Sequence, residues 1–389
     1  MQQPAQREYG LDFLRIFAFG VLILYHSGMG YVTWGWHVKN NDLSTGLEEF
    51  MIFANRWRLP LLFFISGAGA AFSLRRRTLR EFARERTARL LPPLLTGMFL
   101  IVPPQIYFEH LANGRQYASY FDFWRTVFQF VPYPKGATSW HHMWFVAYIL
   151  IYALASIPLF SYLRKPAGRS ILARFATWLE HGNARIYFTS IPNMLVGLTL
   201  GPRFPTTNAL IGDWANLTGA WLTFLWGFVF ASEPRLLDLL ERRRREFLTG
   251  GILVAIAFYT LRWNGLGGFL YELASGYFGM LWIFALTGYA RAIFRSGSPL
   301  LHYWTEGVFP LYLIHQTITV ALVFAMRDWP ASLYLKLLIA VAGTFLGSIV
   351  FVEFARRTGP LRPLLGLKLQ PAPNQARNAR DIQPPPVRV

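Results

Sequence analysis

LDFLRIFAFGVLILYHSGMGY, residues 11–31, is the stretch on which the reading of this chain turns. It is long and apolar enough to cross a bilayer, yet it carries Asp12, Arg15 and His26. An Arg or Asp at the centre of a spanning helix costs about 2.5–3.5 kcal/mol even on a lenient insertion scale. At about 100° per residue, the separation of Arg15 from His26 amounts to roughly three full turns. The two therefore share one face, with Phe19 and Leu22 between them and Asp12 one turn before Arg15. Arg15 alone could reach a headgroup and Asp12 alone could cap the helix start. His26 lies too deep for that, so the stripe points at something other than lipid.

The rest of the chain agrees with this first helix. Of 389 residues, 53% are hydrophobic and 17% aromatic, which is too apolar for an ordinary soluble enzyme. Windows of about 20 apolar residues recur, giving an all-α polytopic membrane protein with about ten transmembrane helices. The expected spans are approximately 11–31, 55–74, 90–112, 141–163, 186–202, 214–232, 249–266, 269–292, 306–326 and 334–355. Pro92, Pro93, Pro103 and Pro104 predict kinks in the third, and Pro192 with Asn193 interrupts the short fifth. The first apolar run reads as a spanning helix and not as a cleaved signal. Residues 1–363 form the expected transmembrane domain, and 364–389, rich in Pro, Arg, Asn and Gln, the expected disordered cytoplasmic tail.

Charge supplies the orientation. The net charge of +18 falls between the apolar windows, which is how membrane topology is written, and excludes a nucleic-acid surface as its explanation. Loops after even-numbered spans hold the arginine runs, including Arg75, Arg76, Arg77, Arg80, Arg84, Arg86 and Arg89, and later Arg242 to Arg245. Loops after odd-numbered spans hold few. Both termini are thus expected in the cytoplasm, with Arg15 toward that side and His26 about 16 Å further out at 1.5 Å per residue. Arg56, Arg58, His141, His142, Glu272 and His315 then gather toward the outer half. The basic segment 75–89 reads as a cytoplasmic linker, which either contacts anionic lipid or holds a phosphate-rich ligand through its arginine forks. With no cysteine there are no disulfides or thiolate nucleophiles, and adjacent His141 and His142 point different ways on a helix, so no metal site is expected.

With these residues in place, the chain resembles the acyltransferase family 3 membrane proteins. Arg15, ten residues and His26, with Asp12 before them, is similar to that family's first-helix pattern. RLPLLFFISGAGAAF at 58–72 resembles its second-helix signature, followed by the arginine-rich linker. HHMWFVAYILIY at 141–152 and VFPLYLIHQTI at 308–318 resemble later HxWF and YxxHQ segments, closest to the glucan biosynthesis protein C branch of periplasmic glucan succinyltransferases. The Trp-Ser-Leu stretch of the O-antigen and peptidoglycan O-acetylases is not seen, since Trp144-Phe145-Val146 stands there.

The resemblance implies an O-acyltransferase in a bacterial cytoplasmic (inner) membrane, with acyl-CoA as donor and an extracytoplasmic glycan hydroxyl as acceptor. The acyl group is expected to be acetyl or succinyl. It implies His26 as general base or transient acyl carrier, Arg15 as orienter of the donor or oxyanion, and Asp12 as the holder of Arg15. Arg58, His142, Trp144 and His315 are the expected substrate-binding residues. Arg75, Arg76, Arg77, Arg86 and Arg89 are expected on the phosphates of coenzyme A. The rival reading is a transporter of a lipid-linked sugar or anionic solute, which would use the same buried charges as a path. A scaffold subunit of a glycan synthase complex is a third reading.

Overall fold

The computed structural model describes residues 7–369, and these fold into α-helices with no named strand among them. The helices are α1 (Tyr9–Met29), α2 (Thr45–Leu74), α3 (Leu79–Thr96), α4 (Pro103–Ala112) and α5 (Tyr120–Arg125). After them come α6 (Trp144–Ala155), α7 (Ile157–Arg164), α8 (Pro166–Glu180), α9 (Ile191–Thr199) and α10 (Trp214–Ser232). The last are α11 (Pro234–Arg242), α12 (Arg244–Trp263), α13 (Phe269–Ile293), α14 (Pro299–Ala325) and α15 (Leu333–Arg357).

Six helices are long and apolar enough to cross a membrane: α1, α2, the run Leu79–Ala112, α13, α14 and α15. The bent pair His141–Ala155 and Ile157–Arg164, at 47°, would make a seventh. Every expected span overlaps a helix, but α9 has only 9 residues, and α10 and α12, though long enough, are not among the six. Helices α12 and α15 leave Leu253, Ile256, Leu338, Leu346 and Val350 exposed, the state of a helix whose outer side meets lipid.

Helix α1 is packed by α2, α13, α14 and α15, so its polar stripe is held inside the bundle. Helices α2 and α10 approach most intimately. A Cβ built on Gly67 would overlap the Phe224 carbonyl oxygen, and one on Gly227 would overlap that of Phe64. Only glycine at both positions allows the backbones to touch, the usual route to close helix pairs where no water drives association.

The third span departs from expectation at its start and follows it in its middle. Residues 75–89 are largely helix and not a separate linker, because Thr78 and Glu81 form a capping box that starts α3 at Leu79. The kink forms as a π-helical turn over Gly97–Ile101 before Pro103 and Pro104. Those prolines have no N–H to donate, so carbonyls one turn earlier turn elsewhere. Phe99 O, one turn before Pro103, accepts from Trp124 Nε1 at 2.8 Å. Within the π-helical turn, Ile101 O accepts from Thr317 Oγ1 at 2.6 Å, which fastens the turn to α14.

The packed chain also runs past residue 363. Gly359–Leu365 is a short 3₁₀ helix, Leu367 is buried, and Arg362 Nε donates to Lys368 O at 2.8 Å. The remainder of the expected tail, from residue 370, lies outside the described residues.

Candidate active site

Two regions meet along α1. The first is a cavity of about 520 Å³ at the end of the bundle where α1 begins. It is lined by Arg7, Arg15, Arg75, Arg76, Arg77, Arg86, Arg89 and Lys368, against three carboxylates, Glu8, Asp12 and Glu85. All five arginines expected to hold coenzyme A thus share one cavity with Arg15. They arrive there from two places, the turn that follows α2 and helix α3, while Arg15 comes from α1. Arg86 Nη2 reaches back to Gly69 O at 3.1 Å and Arg75 Nη2 to Ala231 O at 2.6 Å, which leaves other guanidinium donors for a ligand. Burial raises the pKa of the Glu8 carboxyl, opposed by Arg291, so its charge offsets the arginines less firmly.

Asp12 is shared between two arginines, as the expected ion pair with Arg15 and a closer one with Arg7. Its short bond, 2.7 Å, is from Arg7 Nε, and the Arg15 Nη1 separation is 3.8 Å, too long for a hydrogen bond. The Arg15 side chain lines the cavity.

Phe19, Phe145 and Tyr312 line the deep part of the cavity. Their rings touch pairwise, with centroids 6.4 Å apart for Phe19 and Phe145, 5.1 Å for Phe19 and Tyr312, and 6.2 Å for Phe145 and Tyr312. Tyr312 also touches the second region, its ring 5.7 Å from that of His315 and 5.5 Å from that of His142.

That second region is built on α14. His315 Nδ1 lies 2.5 Å from the Tyr312 carbonyl oxygen, one turn back on the same helix. A carbonyl only accepts, so Nδ1 carries the proton and Nε2 keeps a lone pair. His26 Nδ1 lies 2.7 Å from that Nε2 and must be the donor. The consequence is that His26 Nε2 holds a free lone pair, in a residue left partly exposed. Helix α1 supplies the nitrogen with the free lone pair and α14 sets its tautomer.

His142 joins the cluster, donating from Nε2 to Leu313 O at 3.0 Å, with its ring edge-on to His315 at 5.2 Å. Tyr312 OH donates to the His142 carbonyl. Arg58 is buried, donates from Nη1 to Asn55 Oδ1 at 2.6 Å, and lies over the ring of Tyr25, 3.3 Å from its centroid. Its Nε is buried without a partner, beside the residue that precedes His26. Trp144 departs from expectation, since its ring packs on Phe63 and Tyr148 in the aromatic layer outside the histidine cluster. Arg56 is engaged elsewhere, with Ser275 Oγ at 2.7 Å and Tyr271 OH at 3.0 Å, and Glu272 sits in the first turn of α13 near α9.

Sequence reasoning missed Arg7 and Lys368 in the cavity and Gln105, Gln316, His37 and Glu109 beyond it. Glu109 was findable, as the one acidic residue in the window 90–112. Donor atoms of His37, Glu109 and His141 lie within 4.8 Å of one another, the one such group among the described residues. Glu109 Oε2 and His37 Nδ1 share a proton at 2.7 Å, and the His37 and His141 rings are parallel at 4.4 Å. Parallel rings do not aim two in-plane lone pairs at one ion, so the trio is built as a hydrogen-bonded pair with a stacked neighbour.

The sequence signature described as an acyltransferase domain matches residues 8–353, nearly all of the chain. The chain belongs to the acyltransferase 3 family. Within that family it is similar to proteins named glucans biosynthesis protein C from Salmonella paratyphi B and Salmonella heidelberg. Each is 28% identical over 165 residues, 42% of this chain and 41% of the relative. The matched region therefore spans less than half the length of these relatives. No solved structure matches the chain.

Proposed function

We propose that this family member is an integral membrane O-acyltransferase of the bacterial inner membrane. It takes an acyl group, acetyl or succinyl, from acyl-CoA on the cytoplasmic side and delivers it to a hydroxyl of an extracytoplasmic glycan. The observation that carries this reading is the arginine-lined cavity whose deep wall, Tyr312, also fixes the tautomer of the His315–His26 pair. Eight cationic side chains suit the phosphates and adenosine of coenzyme A, while a thin pantetheine arm could pass the three rings toward His26.

The chemistry follows from the nitrogen that is free. A thioester is a good acyl donor and a hydroxyl a poor nucleophile, so a base or an acyl carrier is needed. His26 Nε2 serves as one of these. Arg58 is the side chain placed to offset negative charge on the carbonyl oxygen, and Arg15, facing the cavity, orients the donor. The relatives' name supports a glucan acceptor. Ten spans, with both termini in the cytoplasm, accompany this reading, because they put the arginine-rich end where acyl-CoA is. The aromatic closure between the two regions supports an enzyme over a transporter, which would need a path wide enough for its solute.

The test uses sealed inverted vesicles with radiolabelled acetyl-CoA or succinyl-CoA outside, on the exposed cytoplasmic face, and a glucose oligosaccharide enclosed. Label is expected on the enclosed sugar. Transfer only when the thioester is inside the vesicle would overturn the direction, and no transfer with either donor would overturn the activity.

A further inference from the structure

The reaction just described leaves unused a second imidazole, whose basic nitrogen is held only by a neutral amide. His37, in the loop after α1, places Nδ1 2.7 Å from Glu109 Oε2, and Glu109 Oε1 accepts from Tyr133 OH at 2.7 Å. A carboxylate accepts only, so the proton stays on Nδ1 and Nε2 of His37 is the basic atom. What occupies that nitrogen is the Gln316 side-chain amide, at 3.1 Å, a neutral donor that a hydroxyl can replace. Both side chains of the pair are 14% exposed, so neither is sealed in the core.

The placement is as informative as the chemistry. His315 and Gln316 are neighbours on α14, one holding His26 and the other His37. The pair stands at the end of α1 opposite the arginine cavity. Two flat rings flank His37: His141, parallel at 4.4 Å, and Trp36, tilted at 5.6 Å. His141 Nε2 is buried with no hydrogen-bond partner. Flat rings beside hydrogen-bonding groups are a fitting surface for a pyranose, which has apolar ring faces and hydroxyl edges.

We infer that His37 is the base that deprotonates the acceptor sugar hydroxyl, with Glu109 as its positioning residue and His26 as the acyl carrier. This rests on the transferase reading above and assigns its two half-reactions to different histidines. In the first, His26 Nε2 attacks the thioester carbon, an N–C bond forms, and the C–S bond breaks. The thiolate leaves into the arginine cavity. The His26 Nδ1 proton moves to His315 Nε2, leaving a neutral acyl-imidazole beside an imidazolium. In the second, the sugar hydroxyl gives its proton to His37 Nε2 as its oxygen attacks the acyl carbon. The O–C bond forms, the N–C bond breaks, and His26 recovers its Nδ1 proton from His315. The sum is an ester, a thiolate on the donor side and one proton on His37, released on the acceptor side.

The test uses full-length protein in nanodiscs with [14C]succinyl-CoA and [14C]acetyl-CoA, and a glucose oligosaccharide as acceptor probe. His37→Ala, His37→Gln and Glu109→Gln are expected to lose 100-fold or more in sugar acylation. They should still release coenzyme A in a burst and accumulate label on the protein, and free imidazole should restore transfer to His37→Ala. Transfer within threefold of wild type in Glu109→Gln and His37→Gln would overturn the inference, as would loss of protein labelling along with transfer. Inactivation by a chelator that zinc reverses would overturn it in favour of a metal site. Wild-type protein that releases no coenzyme A from either donor would overturn the parent reading instead.

Discussion

Removing the His315 side chain should separate orientation from binding in this site. In His315→Ala the 2.7 Å bond to His26 Nδ1 disappears, so neither the tautomer nor the ring angle of His26 stays fixed. When His26 becomes positively charged during reaction, that bond becomes charge-assisted, worth about 1.5–3 kcal/mol. At about 1.4 kcal/mol per tenfold, the loss in kcat should be roughly 10- to 150-fold. Coenzyme A affinity should stay unchanged, because His315 does not line the arginine cavity. The assay measures kcat with saturating acyl-CoA, alongside coenzyme A binding and thermal unfolding to certify the fold. His315→Gln can put an amide oxygen where Nε2 stands and accept from His26, but it cannot carry a proton onward. It should recover the orienting part only, landing between Ala and wild type. A His315→Ala protein with kcat within threefold of wild type and normal coenzyme A affinity would refute the reasoning.

Further outcomes follow from other parts of the molecule. His26→Gln should abolish acyl transfer in a folded, inserted protein, since an amide takes neither proton nor acyl group; full activity at normal expression would contradict this. Neutralising Arg75, Arg76 and Arg77 together should weaken coenzyme A affinity with a smaller effect on kcat, checked by binding and kinetics in parallel. Gly227→Val should force α10 off the Phe64 carbonyl and destabilise the fold by about 1–3 kcal/mol or more, read from thermal unfolding in detergent. Lys39, donating to Met29 O at 2.7 Å, has its pKa lowered by burial to about 8. An unfolded lysine keeps its proton to about pH 10.4, so the unfolded chain binds more protons between these values. Wild-type stability should therefore rise relative to Lys39→Met as pH climbs through that window, which unfolding midpoints at stepped pH will show.

Helical periodicity carried much of this architecture. It placed Arg15, Phe19 and His26 on one face, and the cavity lining of Arg15 and Phe19 with the His26–His315 contact follows that stripe. It could not show which histidine of a distant helix would meet His26, because 289 residues separate the partners and only packing of α1 on α14 joins them. The spacing gave the Asp12–Arg15 ion pair but not the closer partner Arg7, which comes from outside the helix. Segment 75–89, expected as an amphipathic basic linker, is helical from Leu79, and the Thr78–Glu81 cap that starts α3 is a local signal set among its arginines. His37 carried no periodic signal at all, since it lies in a loop and gains meaning only from Glu109 across the fold.

The three touching rings of Phe19, Phe145 and Tyr312 have a bearing on the energised cell. A polar route through a bilayer is a potential short circuit, and each charge crossing 100 mV dissipates about 2.3 kcal/mol. Under the proposed transfer from one side of the membrane to the other, the protein must let an acyl group through while holding back protons and ions. Rings in contact across the way interrupt any file of water between the two regions. The same residues that narrow the way to His26 thus act as electrical insulation, and widening them should make a membrane containing this protein leak protons.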